Sequence, residues 1–142
     1  FRVSKNQIIW GGNYFINFLY PSKAWIFWDK MLDKTFNFSH GELAWSSFNK
    51  QLLKYKISSK AETRGGKDRI HPTQKPVKLY EWLLIKYANE GDKILDTHLG
   101  SGSIAIACHN LGFEFIGCEL DKEYYEASIK RIKDHISQQR LF

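Results

Sequence analysis

The sequence predicts an α/β fold, a sheet with helices on both faces. From residue 76 onward the chain alternates helix, strand, helix, strand and helix, which is the pattern of layered α/β architectures. The first 50 residues carry short apolar and aromatic runs typical of buried strands. In addition, one strand of the later part ends in an acid and opens into a glycine-rich loop before a helix.

The N-terminal part is strand-rich. Residues 7–10 (QIIW) form an apolar run that stops at Gly11-Gly12, so we expect a strand followed by a turn. Residues 24–28 (AWIFW) predict a second strand, and residues 41–48 (GELAWSSF) indicate a weaker third one.

Residues 50–69 differ from both flanks, because they are polar, basic and rich in turn residues, with no clean period. We expect a long excursion from the core, and loops of this length are usually functional or disordered. The whole chain carries a net charge of +6 and a pI near 9.3. This balance indicates either a solvated basic surface or a polyanionic partner such as DNA or RNA.

The C-terminal part alternates regularly. Pro76 opens a predicted helix over residues 76–89, where apolar residues recur at helical spacing, and Gly91 follows its end. The remaining predicted elements are a strand at 93–96, a helix at 103–110, a strand at 114–119 and a helix at 122–138.

The strand at 93–96 leads into the loop DTHLGSGS, residues 96–103. Its glycines allow a sharp turn and a close approach to a ligand, and the next helix offers free N–H groups. Glu119, after the next strand, could accept two hydrogen bonds from a ribose diol. Three interpretations stay open at this point: a turn without a ligand, a dinucleotide site matching G-x-G-x-x-A at Gly100, Gly102 and Ala105, and an S-adenosylmethionine site.

The order of the elements favours the third interpretation. Dinucleotide domains place the glycine loop on their first strand and continue with further strand–helix units. Here the loop comes late, and the remaining strands must come from before it. This order indicates a circular permutation.

Three stretches resemble the amino-group DNA methyltransferases, more narrowly the permuted, phage- and restriction-type adenine-specific enzymes: HPTQKPVKLYEWLL (71–84), ILDTHLGSGSIAIA (94–107) and FIGCELDKEYYEASIKRI (115–132). The resemblance implies a Rossmann-like, S-adenosylmethionine-dependent methyltransferase sheet with circularly permuted motifs. It also implies methyl transfer to the exocyclic amino group of adenine in DNA. A cytosine amino-group methyltransferase and a truncated, inactive fragment that binds cofactor or DNA stay open as alternatives.

The resemblance also implies roles for individual residues. The loop residues that would hold the methionine end of S-adenosylmethionine are Asp96, Thr97, His98, Gly100, Ser101 and Gly102. Glu119 would clamp the ribose, Leu120 would lie near the adenine, and Thr73 and Lys75 would contact the methionine carboxylate. Thr97-His98 depart from the commoner Pro-Phe of the family. The excursion 50–69 would be the target-recognition region, with DNA contacts from Lys54, Lys56, Lys60, Arg64, Lys67 and Arg69.

The catalytic tetrad of this family, Asp/Asn/Ser-Pro-Pro-aromatic, does not occur in residues 1–142, whose prolines are Pro21, Pro72 and Pro76. In the permuted order it should precede residue 1, so we expect residues 1–142 to form a single, partial methyltransferase domain. If the chain is a true fragment, we do not expect methyl transfer by this chain alone. The expected partner is double-stranded DNA, with no metal, no membrane and a cytoplasmic, bacterial or phage-encoded setting. A homodimer, and a cognate restriction endonuclease without direct contact, are left open.

Overall fold

The structure, a computed structural model, describes residues 3–32, 37, 39–63 and 68–139, and divides into two compact units, Phe1–Ser59 and Lys60–Phe142. The described part of the first unit holds the strands β1 (Ile8–Trp10), β2 (Ile26–Asp29), β3 (Gly41–Ser46) and β4 (Leu53–Lys56). That of the second holds α1 (Val77–Tyr87), β5 (Lys93–Asp96), α2 (Ser103–Leu111), β6 (Glu114–Gly117) and α3 (Lys122–Gln139). The single domain over residues 1–142 stays a prediction.

The first unit is a four-stranded sheet in the order β1-β3-β2-β4. β3 runs antiparallel to β1 and β2, whereas β4 runs parallel to β2. Its core is aromatic, because Trp28 and Trp45 are only 1% and 2% exposed. Each indole N–H donates to a backbone carbonyl, that of Ile57 for Trp28 and that of Tyr20 for Trp45, so that neither buried donor is left unsatisfied.

Strand β4 lies inside residues 50–69, so the prediction of an irregular excursion is wrong over Leu53–Lys56. The side chains of this strand alternate, with Leu53 and Tyr55 half-buried and the two lysines exposed. Four residues in a basic surrounding make this period-two pattern hard to detect. The strand is stabilised by pairing with β2, a partner that is distant in sequence.

The second unit packs two helices against two parallel strands. β5 and β6 pair in register from Lys93↔Glu114 to Asp96↔Gly117. The buried cluster between the elements consists of Val77, Leu84, Ile106, Ala107 and Cys108, with Ile94 and Phe115 of the strands packed against it. The bounds predicted for these five elements agree with the structure to within two residues.

Helix α1 begins after Pro76, whose missing N–H costs nothing at this position. The next two N–H groups, those of Val77 and Lys78, donate to the carboxylate of Glu62 at 2.6 and 2.8 Å. A carboxylate at this end also complements the helix dipole. Within the described ranges, no helix has the length and apolar character needed to cross a membrane.

Candidate functional site

The candidate site lies at the carboxyl ends of β5 and β6. Beyond the paired strands, Cys118 N–H donates to the Asp96 carbonyl at 2.8 Å, and Leu99 N–H donates to the Cys118 carbonyl at 2.9 Å. These bonds extend the pairing past the last strand residues. As a result Asp96, the last residue of β5, and Glu119, just after β6, come to the same end of the paired strands, where open α/β sheets bind their ligands.

Two glycines shape the loop between β5 and α2. Gly100 and Gly102 have φ values of +52° and +73°, in the left-handed region that favours glycine. The Gly100 N–H donates to Glu119 Oε2 at 2.7 Å, so the loop after β5 is tied to the acid after β6. Gly102 is the N-cap of α2, and its N–H donates to the Leu99 carbonyl at 3.0 Å.

Glu119 is prepared as an ionised acceptor. Its Oε1 accepts the Asp121 N–H at 3.1 Å, and its Oε2 accepts the Gly100 N–H. These two bonds lower the pKa of the Glu119 carboxyl below its ordinary value. Each oxygen of a carboxylate has two lone pairs, so each keeps acceptor capacity for a further donor. Leu120, the next residue, is fully exposed beside it.

Asp96 lies in a different environment, since its side chain is partly buried. Burial is the largest cause that raises the pKa of its carboxyl, with a smaller contribution from the charge of Glu119. Its bond with the His98 N–H, 3.0 Å long, and the charge of Lys75 act in the opposite direction. The site therefore holds one carboxylate that is easy to ionise and one that is costly to ionise.

The HPTQKP stretch packs against the loop. The His71 ring lies 4.4 Å from the Tyr124 ring in an edge-to-face arrangement, and a Cβ at Gly100 would lie 3.5 Å from His71. Thr73 donates its N–H to His71 Nδ1 at 3.2 Å, with its hydroxyl at 3.1 Å from the same nitrogen. The side chain of Lys75 is buried, and its charge acts on Asp96.

The structure brings most of the predicted cofactor residues together. Those that lie on the loop or directly after β6 are Asp96, Thr97, His98, Gly100, Ser101, Gly102, Glu119 and Leu120. Thr97 and His98 are exposed and contact each other, with 2.9 Å between Thr97 Oγ1 and His98 Nδ1. Thr73 is exposed as well. The binding roles of these residues stay predictions.

The predicted DNA contacts are spread over both units. In the first, Lys54 and Lys56 are exposed, and Lys54 forms an ion pair of 3.0 Å with Asp29. In the second, Lys60 and Arg69 are exposed, and Arg69 donates to the Gln74 carbonyl at 3.4 Å. Arg64 and Lys67 lie outside the described residues.

Three residues at the site were not predicted. Arg131 donates to the loop, Tyr124 contacts His71, and Glu62 caps α1. Tyr124 stands close enough to Glu119 in sequence to be suspected. No local signal could have identified the other two, because their partners lie 15 to 30 residues away in sequence.

The two cysteines differ in environment. Cys108 of α2 is buried, and this burial raises the pKa of its thiol to about 12. Cys118, between β6 and Glu119, is exposed. A thiol reacts through its thiolate, so both burial and the raised pKa disfavour reaction of Cys108 at neutral pH.

Residues 5–130 match the family model described as DNA methylase, the N6/N4 methyltransferase model. The chain belongs to the amino-group DNA methyltransferase family. The resemblance inferred from the three sequence motifs is thereby confirmed. The match covers residues of both compact units, from β1 to the first half of α3.

Type II methyltransferases are among the similar curated proteins. The chain is 44% identical over 62 residues to M.HpaI of Haemophilus parainfluenzae and 40% identical over 77 residues to M2.DpnII of Streptococcus pneumoniae. It is 32% identical over 112 residues to M2.LlaDCHI of Lactococcus lactis subsp. cremoris. These matches cover 44%, 54% and 75% of this chain, and 20%, 28% and 40% of the three relatives.

Solved structures confirm the predicted Rossmann-like methyltransferase fold. The crystal structure of the M1.HpyAVI–SAM complex has a TM-score of 0.68 and 27% identity, over 89% of this chain and 73% of that one. The cytosine-N4-specific PvuII DNA methyltransferase has a TM-score of 0.60 and 15% identity, over 82% and 56% of the two chains. The latter likeness concerns the fold alone.

Proposed function

We propose that this chain binds S-adenosylmethionine at the DTHLGSGS loop and Glu119, and serves methyl transfer to the exocyclic amino group of adenine in DNA. Membership of the amino-group DNA methyltransferase family supports the reaction class. The observation that carries the proposal is the Glu119 carboxylate. It is held by two backbone N–H groups beside the glycine loop and keeps acceptor capacity for a ribose diol.

The residues present fit S-adenosylmethionine better than a dinucleotide. Asp96 and Glu119 place two carboxyl groups at the carboxyl ends of the parallel strands β5 and β6. Two carboxylates disfavour a pyrophosphate, whereas they suit the sulfonium and the α-ammonium of S-adenosylmethionine. Lys75, whose charge already acts on Asp96, could complement the methionine carboxylate. The exposed Leu120 side chain offers an apolar contact for the adenine.

The cofactor, when bound, supplies a methyl group on a positively charged sulfur, which can pass directly to a nucleophilic nitrogen. The contribution of this chain is to bind and orient it, and orientation alone can lower a barrier substantially. No Asp/Asn/Ser-Pro-Pro-aromatic tetrad occurs within residues 1–142 to accept hydrogen bonds from the target amino group. We therefore assign to these residues the cofactor part of the reaction.

The DNA contacts are proposed for the basic residues of the 50–69 region. Lys56 and Lys60 are exposed cations, and Lys54 could exchange its ion pair with Asp29 for a phosphate contact. Phosphate contacts fix the register of a protein on DNA, whereas base edges carry the sequence information. Which sequence is recognised does not follow from these residues.

The wider setting is also part of the proposal. DNA methylation requires access to the DNA of the cell, so we propose a cytoplasmic location in a bacterium or for a phage-encoded protein. A cognate restriction endonuclease would share the recognition sequence without touching this chain. A homodimer would bring two sites to one DNA and can be tested by sedimentation.

Titration calorimetry of the chain with S-adenosylhomocysteine and, separately, with NAD tests the cofactor. We expect saturable binding of S-adenosylhomocysteine and none of NAD. Binding of NAD alone would replace the methyltransferase proposal by a dinucleotide site. The product analogue is preferred to S-adenosylmethionine because it cannot react during the titration.

A second experiment tests the reaction. The chain is incubated with duplex DNA and S-adenosylmethionine labelled in the methyl group, and the digested nucleosides are separated. N6-methyladenine is the expected product if transfer occurs, and N4-methylcytosine would establish the cytosine alternative. Binding of S-adenosylhomocysteine and DNA without any labelled base would favour the inactive, binding-only alternative.

A further inference from the structure

Arg131 of helix α3 forms hydrogen bonds with the DTHLGSGS loop and with the start of α2. A single guanidinium nitrogen of Arg131, Nη1, donates to the Ser101 carbonyl at 2.8 Å and to Ser103 Oγ at 2.9 Å. Ser101 stands between the two glycines of the loop, and Ser103 opens α2. Arg131 therefore joins the loop to the helix that follows it, from a position 30 residues further along the chain.

The same face of α3 forms a wall behind Gly102. A Cβ at Gly102 would lie 3.0 Å from Ile132 Cδ1 and 3.3 Å from Ser128 Cβ, tighter than most real Cβ contacts. Ser128 is completely buried, and its hydroxyl donates to the Tyr125 carbonyl. The loop thus rests against α3 without room for a side chain at Gly102.

Arg131 also lies in a charged setting that includes Glu62. Burial lowers the pKa of Arg131, while the charge of Glu62 acts in the opposite direction. Glu62 is the residue whose carboxylate caps α1, directly after the HPTQKP stretch. The cation beneath the loop and the acid at the start of α1 therefore interact electrostatically.

We propose that Arg131 is a positioning residue that sets the cofactor affinity of the site by fixing the backbone of the glycine loop. A glycine-rich loop has many conformations of similar energy, so it needs an external constraint to hold one of them. With the Ser101 carbonyl fixed, Gly100 directs its N–H at Glu119. This inference rests on the proposed function, since it concerns the same site.

The geometry explains why arginine suits this position. Its guanidinium offers several donors in a rigid plane, and one nitrogen can serve both a carbonyl and a hydroxyl. A lysine has donors of similar charge on a more flexible stem, so it would constrain the loop less well. The contribution of Arg131 depends on donor geometry as well as on charge.

The test uses amide hydrogen exchange of the ligand-free chain and calorimetric titration with S-adenosylhomocysteine. The variants are Arg131→Met, Arg131→Lys and, should the first not fold, Ser103→Ala. The last removes one acceptor of Arg131 together with the 3.1 Å hydrogen bond between the Ser101 and Ser103 hydroxyls. The matched control is Lys130→Met on the same helix, because Lys130 is exposed and pairs only weakly with Asp134 at 3.8 Å.

For Arg131→Met we expect exchange of the Gly100 and Gly102 amides to accelerate about tenfold or more, since a charged hydrogen bond is lost. Amides of α1 should stay unchanged, and S-adenosylhomocysteine should bind about tenfold more weakly. Arg131→Lys and Ser103→Ala should lie between Arg131→Met and the unaltered chain, and Lys130→Met should behave like the unaltered chain.

The inference would be overturned by acceleration spread equally over the loop and α1, or by unchanged loop exchange in every variant that folds. Loosening of the loop with unchanged affinity for S-adenosylhomocysteine would also overturn it, because the loop would then not govern binding. If the unaltered chain does not bind S-adenosylhomocysteine at all, the proposed function fails, whereas the exchange data still decide whether Arg131 fixes the loop.

Discussion

The ends of β5 and β6 are neighbours in one parallel pair, yet their acids experience opposite electrostatics. Asp96, the last residue of β5, is partly buried, and burial raises the pKa of its carboxyl. Glu119, after β6, accepts two backbone N–H groups, which lower the pKa of its carboxyl. Parallel pairing therefore places the two acids side by side, but it does not give them the same electrostatic environment.

The difference indicates a division of roles between the two strand ends. A carboxylate stabilised in advance by N–H groups can accept neutral hydroxyl donors without a change of protonation state. A carboxylate whose ionisation is opposed by burial gains most from a cationic ligand, because the ligand charge offsets the cost. Under the proposed function, Glu119 suits the ribose and Asp96 suits the ammonium end of the cofactor.

The largest expected effect concerns Glu119. Glu119→Ala should weaken binding of S-adenosylhomocysteine about 100-fold, because bonds between hydroxyls and a charged acceptor are lost. Glu119→Gln should have a smaller effect, because its amide keeps one oxygen acceptor. Calorimetric titration measures both, with Glu123→Ala, an exposed acid on the next helix, as the control. Full affinity in Glu119→Ala would remove this residue from the site.

The second prediction concerns the loop after β5. Gly102→Ala should lower the free energy of unfolding by about 2 kcal/mol, through left-handed strain and the contact with Ile132. Gly112→Ala is the matched control: its φ of +76° is similar, but a Cβ there meets nothing within 4 Å. For this control we expect the free energy of unfolding to fall by about 1 kcal/mol. Equal losses in urea titrations of the two variants would show that the contact with α3 costs nothing.

A smaller effect is expected for Asp96→Asn. Because burial raises the pKa of this carboxyl, its ionised form costs folding free energy at pH 7. The neutral isostere should therefore raise the melting temperature at pH 7 while weakening binding of S-adenosylhomocysteine. Asp92→Asn, at an exposed turn, is the control. Calorimetry and thermal scans measure the two properties, and a fall in stability would contradict the role of burial described above.

The smallest expected effect concerns the dependence of folding stability on pH. Glu119, with its lowered pKa, contributes stability that is complete above the ordinary glutamate pKa and is lost as pH falls through the lowered value. Asp96 has the opposite sign, since its raised pKa means that stability falls as pH rises from the ordinary aspartate value to the raised one. We expect the free energy of unfolding, measured by denaturant titration from pH 3 to 7, to fall less steeply towards acid pH in Glu119→Gln than in the unaltered chain. A steeper fall in the variant would contradict the contribution of Glu119 to stability described above.

Local pattern was sufficient for much of this fold. The strand at 93–96 and the helix starting at 103 follow from apolar runs bounded by an acid and by glycines, and the structure has them at those residues. The gathering of Asp96, Gly100 and Glu119 also follows, because parallel strands place their carboxyl ends at one edge.

What the sequence could not provide depends on contacts distant in the chain. Strand β4 exists through its pairing with β2. Glu62 caps a helix that starts 15 residues later, and Arg131 reaches back to Ser101 across 30 residues. The opposite pKa shifts of Asp96 and Glu119 arise from burial and backbone geometry. Neither the burial of a side chain nor the direction of a backbone N–H can be inferred from residue identity alone.

Cys118 gives the chain a ready position for a spectroscopic label. Its backbone bonds to both Asp96 and Leu99 while its side chain is exposed, and the only other cysteine, Cys108, is buried with a thiol pKa of about 12. A maleimide dye added at neutral pH should therefore attach to one position, next to Glu119. Its fluorescence would report changes at the end of β6 without any engineered residue.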